Sequence, residues 1–109
     1  MARRVIWSEL ARSDLGATAD YIATDSPRYA AAFVREVRDA ARSLRRFAER
    51  GRIVPEFDDP RLRELLVRSY RLIYRVAPEA VYIVAFVHGA RDLELLWRRE
   101  QRPRPNDFT

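Results

Sequence analysis

The chain has 109 residues, enough for one domain with a modest core, and its 48% hydrophobic and 34% charged residues are those of a globular protein. No cysteine and a single histidine exclude disulfides, thiolate chemistry and a His-rich metal site. The net charge of +5, carried entirely by arginine on the basic side, favours an anionic partner, nucleic acid or an acidic protein segment.

Arg3 to Trp7 is a short apolar strand candidate. Ser8 then caps a helix running to about Thr24. Ala11, Leu15, Ala19 and Ile22 share one face of it, and Gly16 weakens it by about 1 kcal/mol relative to alanine. Asp25-Ser26-Pro27 restarts the chain, because a capping residue before proline suits a helix start. The second helix is predicted to run to Arg50 and to end at Gly51, with Ala30, Phe33, Val34, Val37, Ala41, Leu44 and Ala48 as its apolar stripe. Two helices joined by so short a turn read as an antiparallel hairpin.

Residues 52–61 form a connector punctuated by Pro55 and Asp58-Asp59-Pro60. Strands follow at about Glu64–Arg68, Tyr70–Ala77 and Tyr82–His88, the last two joined by a turn at Pro78-Glu79-Ala80. In the middle strand Tyr70, Leu72, Tyr74 and Val76 share one face, and Arg71, Ile73 and Arg75 the other. The last strand is apolar on both faces, which suits a central position. A short helix is predicted from Leu93 to Glu100. The fold class is therefore α+β, with a helical hairpin packed on one side of a small antiparallel sheet. Residues 1–101 make the single domain, and the polar, proline-rich stretch 102–109 is expected to be a flexible tail.

The longest apolar run, Val81 to Val87, is far shorter than the roughly 20 residues of a membrane-spanning helix. The start of the chain lacks a signal-peptide core, so the cytoplasm is the expected location. No metal or other cofactor is expected.

Four pieces of sequence recur in a telling order after the helical hairpin. They are Gly51-Arg52-Ile53-Val54-Pro55-Glu56-Phe57, Arg63-Glu64-Leu65, Tyr70-Arg71-Leu72-Ile73-Tyr74-Arg75-Val76 and His88-Gly89-Ala90-Arg91-Asp92-Leu93. Together they resemble the ParE/RelE superfamily of type II toxins, over about residues 5 to 97. The resemblance implies a toxin neutralised by a cognate antitoxin, whose partly disordered C-terminal segment folds as it wraps the toxin. It allows two mechanisms. RelE-like members cut messenger RNA in the ribosomal A site and need cations for the phosphorane-like transition state plus groups that move protons. Arg71 and Arg91 match two cationic positions of that set, and His88 is a substitute acid or base. The family's basic pair on the preceding strand falls here at Leu62 and Glu64. Its late tyrosine falls near Trp97, whose indole has no readily exchanged acid–base proton. ParE-like members act on DNA gyrase by binding alone. The departures at Leu62, Glu64 and Trp97, and the His88–Leu93 stretch, favour that branch. A non-toxic binding module is the third possibility.

Each candidate residue also has a structural reading. His88, with Asp92 as orienter, is a general base or a hydrogen-bonded strand end. Arg91 contacts phosphate or partner, or forms an ion pair, and Asp92 suits the N-cap of the last helix. Arg71 and Arg75 suit an RNA backbone or an acidic peptide, or they form salt bridges, for example to Glu64. Arg35, Arg38, Arg42 and Arg45 make a cationic ridge on the second helix, a partner surface or a solvated face. Trp7 and Trp97 anchor an interface or the core.

Overall fold

The computed structural model describes residues 2–102. In chain order these form β1 (Arg4–Trp7), α1 (Glu9–Ala23), α2 (Pro27–Ser43), β2 (Arg52–Ile53), β3 (Leu62–Val67), β4 (Tyr70–Val76), β5 (Ala80–His88) and α3 (Leu93–Glu100). Both long helices start as their sequences indicate. The Ser8 hydroxyl accepts the Ala11 N–H at 3.0 Å, and the Ser26 hydroxyl accepts the Tyr29 N–H at 3.1 Å, ahead of Pro27.

The second helix ends at Ser43, seven residues short of the expected Arg50. Its last turn tightens: Leu44 and Arg45 N–H groups bond to Ala41 and Arg42, three residues back. The Ser43 hydroxyl donates to the Ala40 carbonyl, and the Arg45 carbonyl takes the Arg3 N–H at 2.8 Å. Leu44 and Ala48 stay buried all the same, so the apolar period outlasts the helix that it resembles. Gly51 therefore caps nothing. A Cβ there would stand 2.5 Å from both the Glu64 carbonyl oxygen and the Tyr74 hydroxyl, so the glycine permits a close approach of the chain to β3 and β4.

The strands form one sheet in the order β1-β5-β4-β3-β2. β5 runs parallel to β1 and antiparallel to β4, and the remaining pairs are antiparallel, so the sheet is mixed. β2 lies inside the stretch expected to be pure connector; its two residues pair with Arg63 and Glu64. β5 is central, as its apolar faces require. It carries a bulge, since Ile73 faces Ala85 while Tyr74 faces Ile83, leaving Val84 extra.

Two cores result. α1 and α2 cover the face bearing Leu72, Tyr74, Val81, Ile83 and Phe86. α3 covers the other face, where Ile73, Val84, Ala85 and Val87 meet Leu93, Leu96 and Trp97. Helices thus lie on both sides of the sheet, not on one, because Ile73 of β4 and Val84, Ala85 and Val87 of β5 also need cover.

The Ser8 N–H still reaches the Ile83 carbonyl of β5 at 3.0 Å, and beyond it side chains take over. Asp14 on α1 accepts the Phe86 N–H at 2.9 Å, and Arg102 donates to the Val84 carbonyl at 2.9 Å and to both Asp14 oxygens. Arg102, placed by sequence at the head of the tail, is buried. Residues 103–109 lie outside the described residues. Among the described residues no helix is long and apolar enough to cross a membrane.

Candidate functional site

β4 and β5 present two of the three candidate catalytic groups, Arg71 and His88, and the pleat decides where each one points. Arg71 pairs across the sheet with Val87, on the α3 side. His88 pairs with Tyr70, on the α1–α2 side, and its ring stands edge-on to Tyr70 at 5.4 Å. Neighbouring register pairs face opposite ways. Arg71 and His88 are thus on opposite faces of the sheet. Arg91 sits exposed in the turn after β5.

Arg71 is buried, with 5% of its surface exposed, and fully engaged. Its Nε donates to Glu64 Oε1 at 2.6 Å, and its two terminal nitrogens grip the Glu56 carboxylate at 2.9 and 2.7 Å. The other oxygen of Glu64 accepts from Arg52. The four groups alternate in sign and sum to zero charge. The hydrogen bonds from Arg71 hold the Glu56 carboxyl below its usual range, against a smaller opposing effect of burial. The Arg71 guanidinium is correspondingly pushed up, Glu56 contributing first. The salt-bridge reading of Arg71 with Glu64 is the one the geometry favours.

The remaining candidates sort by exposure. Arg75 stacks over the Tyr82 ring at 4.4 Å, and burial lowers its pKa. His88 Nδ1 accepts the Ala90 N–H at 3.1 Å, so that nitrogen serves the turn. Asp92 caps α3 by accepting the Leu95 N–H at 3.0 Å. Trp97 is 1% exposed and packs on Phe57, with rings 5.2 Å apart, so it is a core residue and not a partner contact. Arg35 is exposed on α2.

A groove of about 850 Å³ opens between α1, α2 and β1. Its apolar floor includes Val5, Trp7, Leu15, Val34 and Ala41, with Gly16 and Ala19 on α1. Arg4, Arg12, Arg38, Arg42 and Arg45 line it too, and among the described residues no acidic one does. Arg42 pairs with Asp39 at 3.1 Å, an exposed pair of small energetic weight. Three of the four ridge arginines, with Trp7, thus belong to one concavity, and Arg35 does not. Sequence reasoning missed Arg4, Arg12 and Gly16 as members. Only the parallel β1–β5 pairing brings β1 beside the helices.

The family model for the ParE toxin of type II toxin–antitoxin systems (parDE) matches residues 5–93. The chain belongs to the ParE/RelE superfamily of type II toxins. A relative named Toxin RelE2, from Caulobacter vibrioides, is 39% identical over 89 residues, covering 81% of this chain and 97% of that protein. The fold is similar to a structure titled the chromosomal ParDE TA system from P. aeruginosa, with a TM-score of 0.66 at 22% identity. That match covers 80% of this chain and 96% of the other. Membership in this superfamily implies a cognate antitoxin for this toxin.

Proposed function

We propose that this toxin acts in the cytoplasm by binding, with DNA gyrase as its target, and not by cutting RNA. The observation that carries this reading is the separation of Arg71 from His88 by the thickness of the sheet, with Arg71 neutralised by Glu56 and Glu64. Phosphodiester cleavage needs cation and proton carrier within reach of one phosphate. Ribosome-dependent cleavage of messenger RNA, the alternative mechanism, would require Arg71 to leave two carboxylates. The choice of gyrase rests on the departures at Leu62, Glu64 and Trp97 and on the ParE-like His88–Leu93 stretch.

The same reading assigns the groove to the antitoxin. A partly disordered segment folds there as an acidic amphipathic helix, burying apolar side chains on Trp7 and Val34. Its carboxylates meet the arginine rim.

Two purified reactions test the mechanism. The chain is added to gyrase with relaxed plasmid, and separately to ribosomes carrying a defined messenger RNA. Blocked supercoiling with intact RNA is the expected result. Ribosome-dependent cuts with normal supercoiling would overturn it.

A further inference from the structure

β1 is an edge strand, and one side of it is open. The Arg4 and Ser8 N–H groups reach the Glu79 and Ile83 carbonyls at 3.1 and 3.0 Å, so Arg4, Ile6 and Ser8 turn their backbone groups towards β5. Successive residues of a strand point these groups to opposite edges. Arg3, Val5 and Trp7 therefore turn theirs away from β5. The Arg3 N–H meets the Arg45 carbonyl at the end of α2. For Val5 and Trp7, no hydrogen-bond partner lies along this edge among the described residues. Both residues line the groove. One wall of the groove is thus a row of unpaired N–H and C=O groups.

We infer that where the antitoxin segment passes β1 it runs extended, as an acidic strand that adds to the sheet edge at Val5 and Trp7. This inference rests on the groove reading above and sharpens it. A helix satisfies its N–H and C=O groups within itself and has none to spare for an open edge, whereas an extended segment pairs with such an edge through its main chain. Charge decides whose strand it is. Arg4, Arg12, Arg38 and Arg45 line the groove with no ion pair among the described residues. A second copy of this chain would bring two such sets of arginines together. A nucleic acid would meet the arginines but has no peptide groups to extend the ladder. An acidic protein segment satisfies both features. Val5 and Trp7 pack against the core under α1 and α2, so the partner residues across from them are apolar. The residues between point the other way, as Arg4 does, and are acidic. The partner therefore carries a short apolar–acidic–apolar alternation.

The test follows backbone amide exchange by nuclear magnetic resonance in the isotope-labelled full chain, free and bound to its unlabelled antitoxin. In the free chain the Val5 and Trp7 amides should exchange readily and the Ile6 amide slowly. In the complex Val5 and Trp7 should slow by about a hundredfold or more. Unchanged exchange at both, while groove signals from Leu15, Val34 and Ala41 shift, overturns the added strand and leaves the groove reading standing. Groove signals that do not shift on binding overturn both. Protection of Val5 and Trp7 in the free chain that grows with its concentration overturns the proposal in favour of a second copy. Val5→Pro provides a separate check. It deletes an N–H that the fold does not use, and an edge strand tolerates proline there, so it should melt near the parent. It should bind antitoxin about tenfold more weakly than Val5→Ala, which keeps the N–H. Equal affinity of the two folded variants overturns the strand. If Val5→Pro does not fold, the exchange data on the parent decide.

Discussion

Two glycines illustrate what single residues do here. Gly16 is helical and exposed, and a Cβ added to it would meet nothing within 4 Å. It lowers helix stability and relieves no contact within the chain, yet it lines the groove. Gly16→Ala should stabilise the protein by about 1 kcal/mol in thermal unfolding. Gly16→Glu should leave the fold intact and weaken antitoxin binding at least tenfold by calorimetry, about 1.4 kcal/mol. Gly51 is the opposite case. The Glu64 backbone cannot retreat from a new Cβ, so Gly51→Ala should cost roughly 1–3 kcal/mol in denaturant titration. Neither role was legible in the sequence, where Gly51 looked like a helix terminator and Gly16 like a weak spot. Space around a Cβ depends on strands distant in the chain. Asp92 was legible, because an N-cap is a local event.

Among the elements, β4 was read almost completely. The alternation of Tyr70, Leu72, Tyr74 and Val76 against Arg71, Ile73 and Arg75 is the division between the two cores. The arginine face was expected to be open, however. α3 and the carboxylates of Glu56 and Glu64 close it, and Glu56 comes from a connector whose path no periodicity reveals. The network has a defined pH signature. Glu56 is depressed in the folded state, so its stabilising effect is complete above the unfolded value of 4.5 and is lost as pH falls through the lower folded one. The parent should be more stable than Glu56→Gln near pH 7, and the gap should close below about pH 4, by thermal melts across pH. Arg71→Ala makes a poor probe of activity. It strands Glu64 with only Arg52 and should cost about 3 kcal/mol.

The whole molecule separates its charge by face. The sheet surface around Arg71 is neutral, while the groove between α1, α2 and β1 carries arginines and, among the described residues, no acidic lining residue. Net charge alone suggested an anionic partner without saying where. The cationic ridge of α2 was visible in the sequence, but its union with Arg4 and Arg12 needed the sheet order. Antitoxin association should therefore slow with salt. Arg38→Glu with Arg45→Glu should lower the association rate about tenfold at 0.05 M salt, with a much smaller difference at 1 M, by stopped-flow mixing.

The central claim, a toxin that binds and does not cut, is tested most directly in one culture induced without antitoxin. Messenger RNA ends are mapped by primer extension, and gyrase-linked DNA breaks are measured in the same cells. The account predicts growth arrest with trapped DNA breaks and intact messenger RNA, unchanged in His88→Ala. Codon-phased RNA cuts with undamaged DNA, lost in His88→Ala, would contradict it.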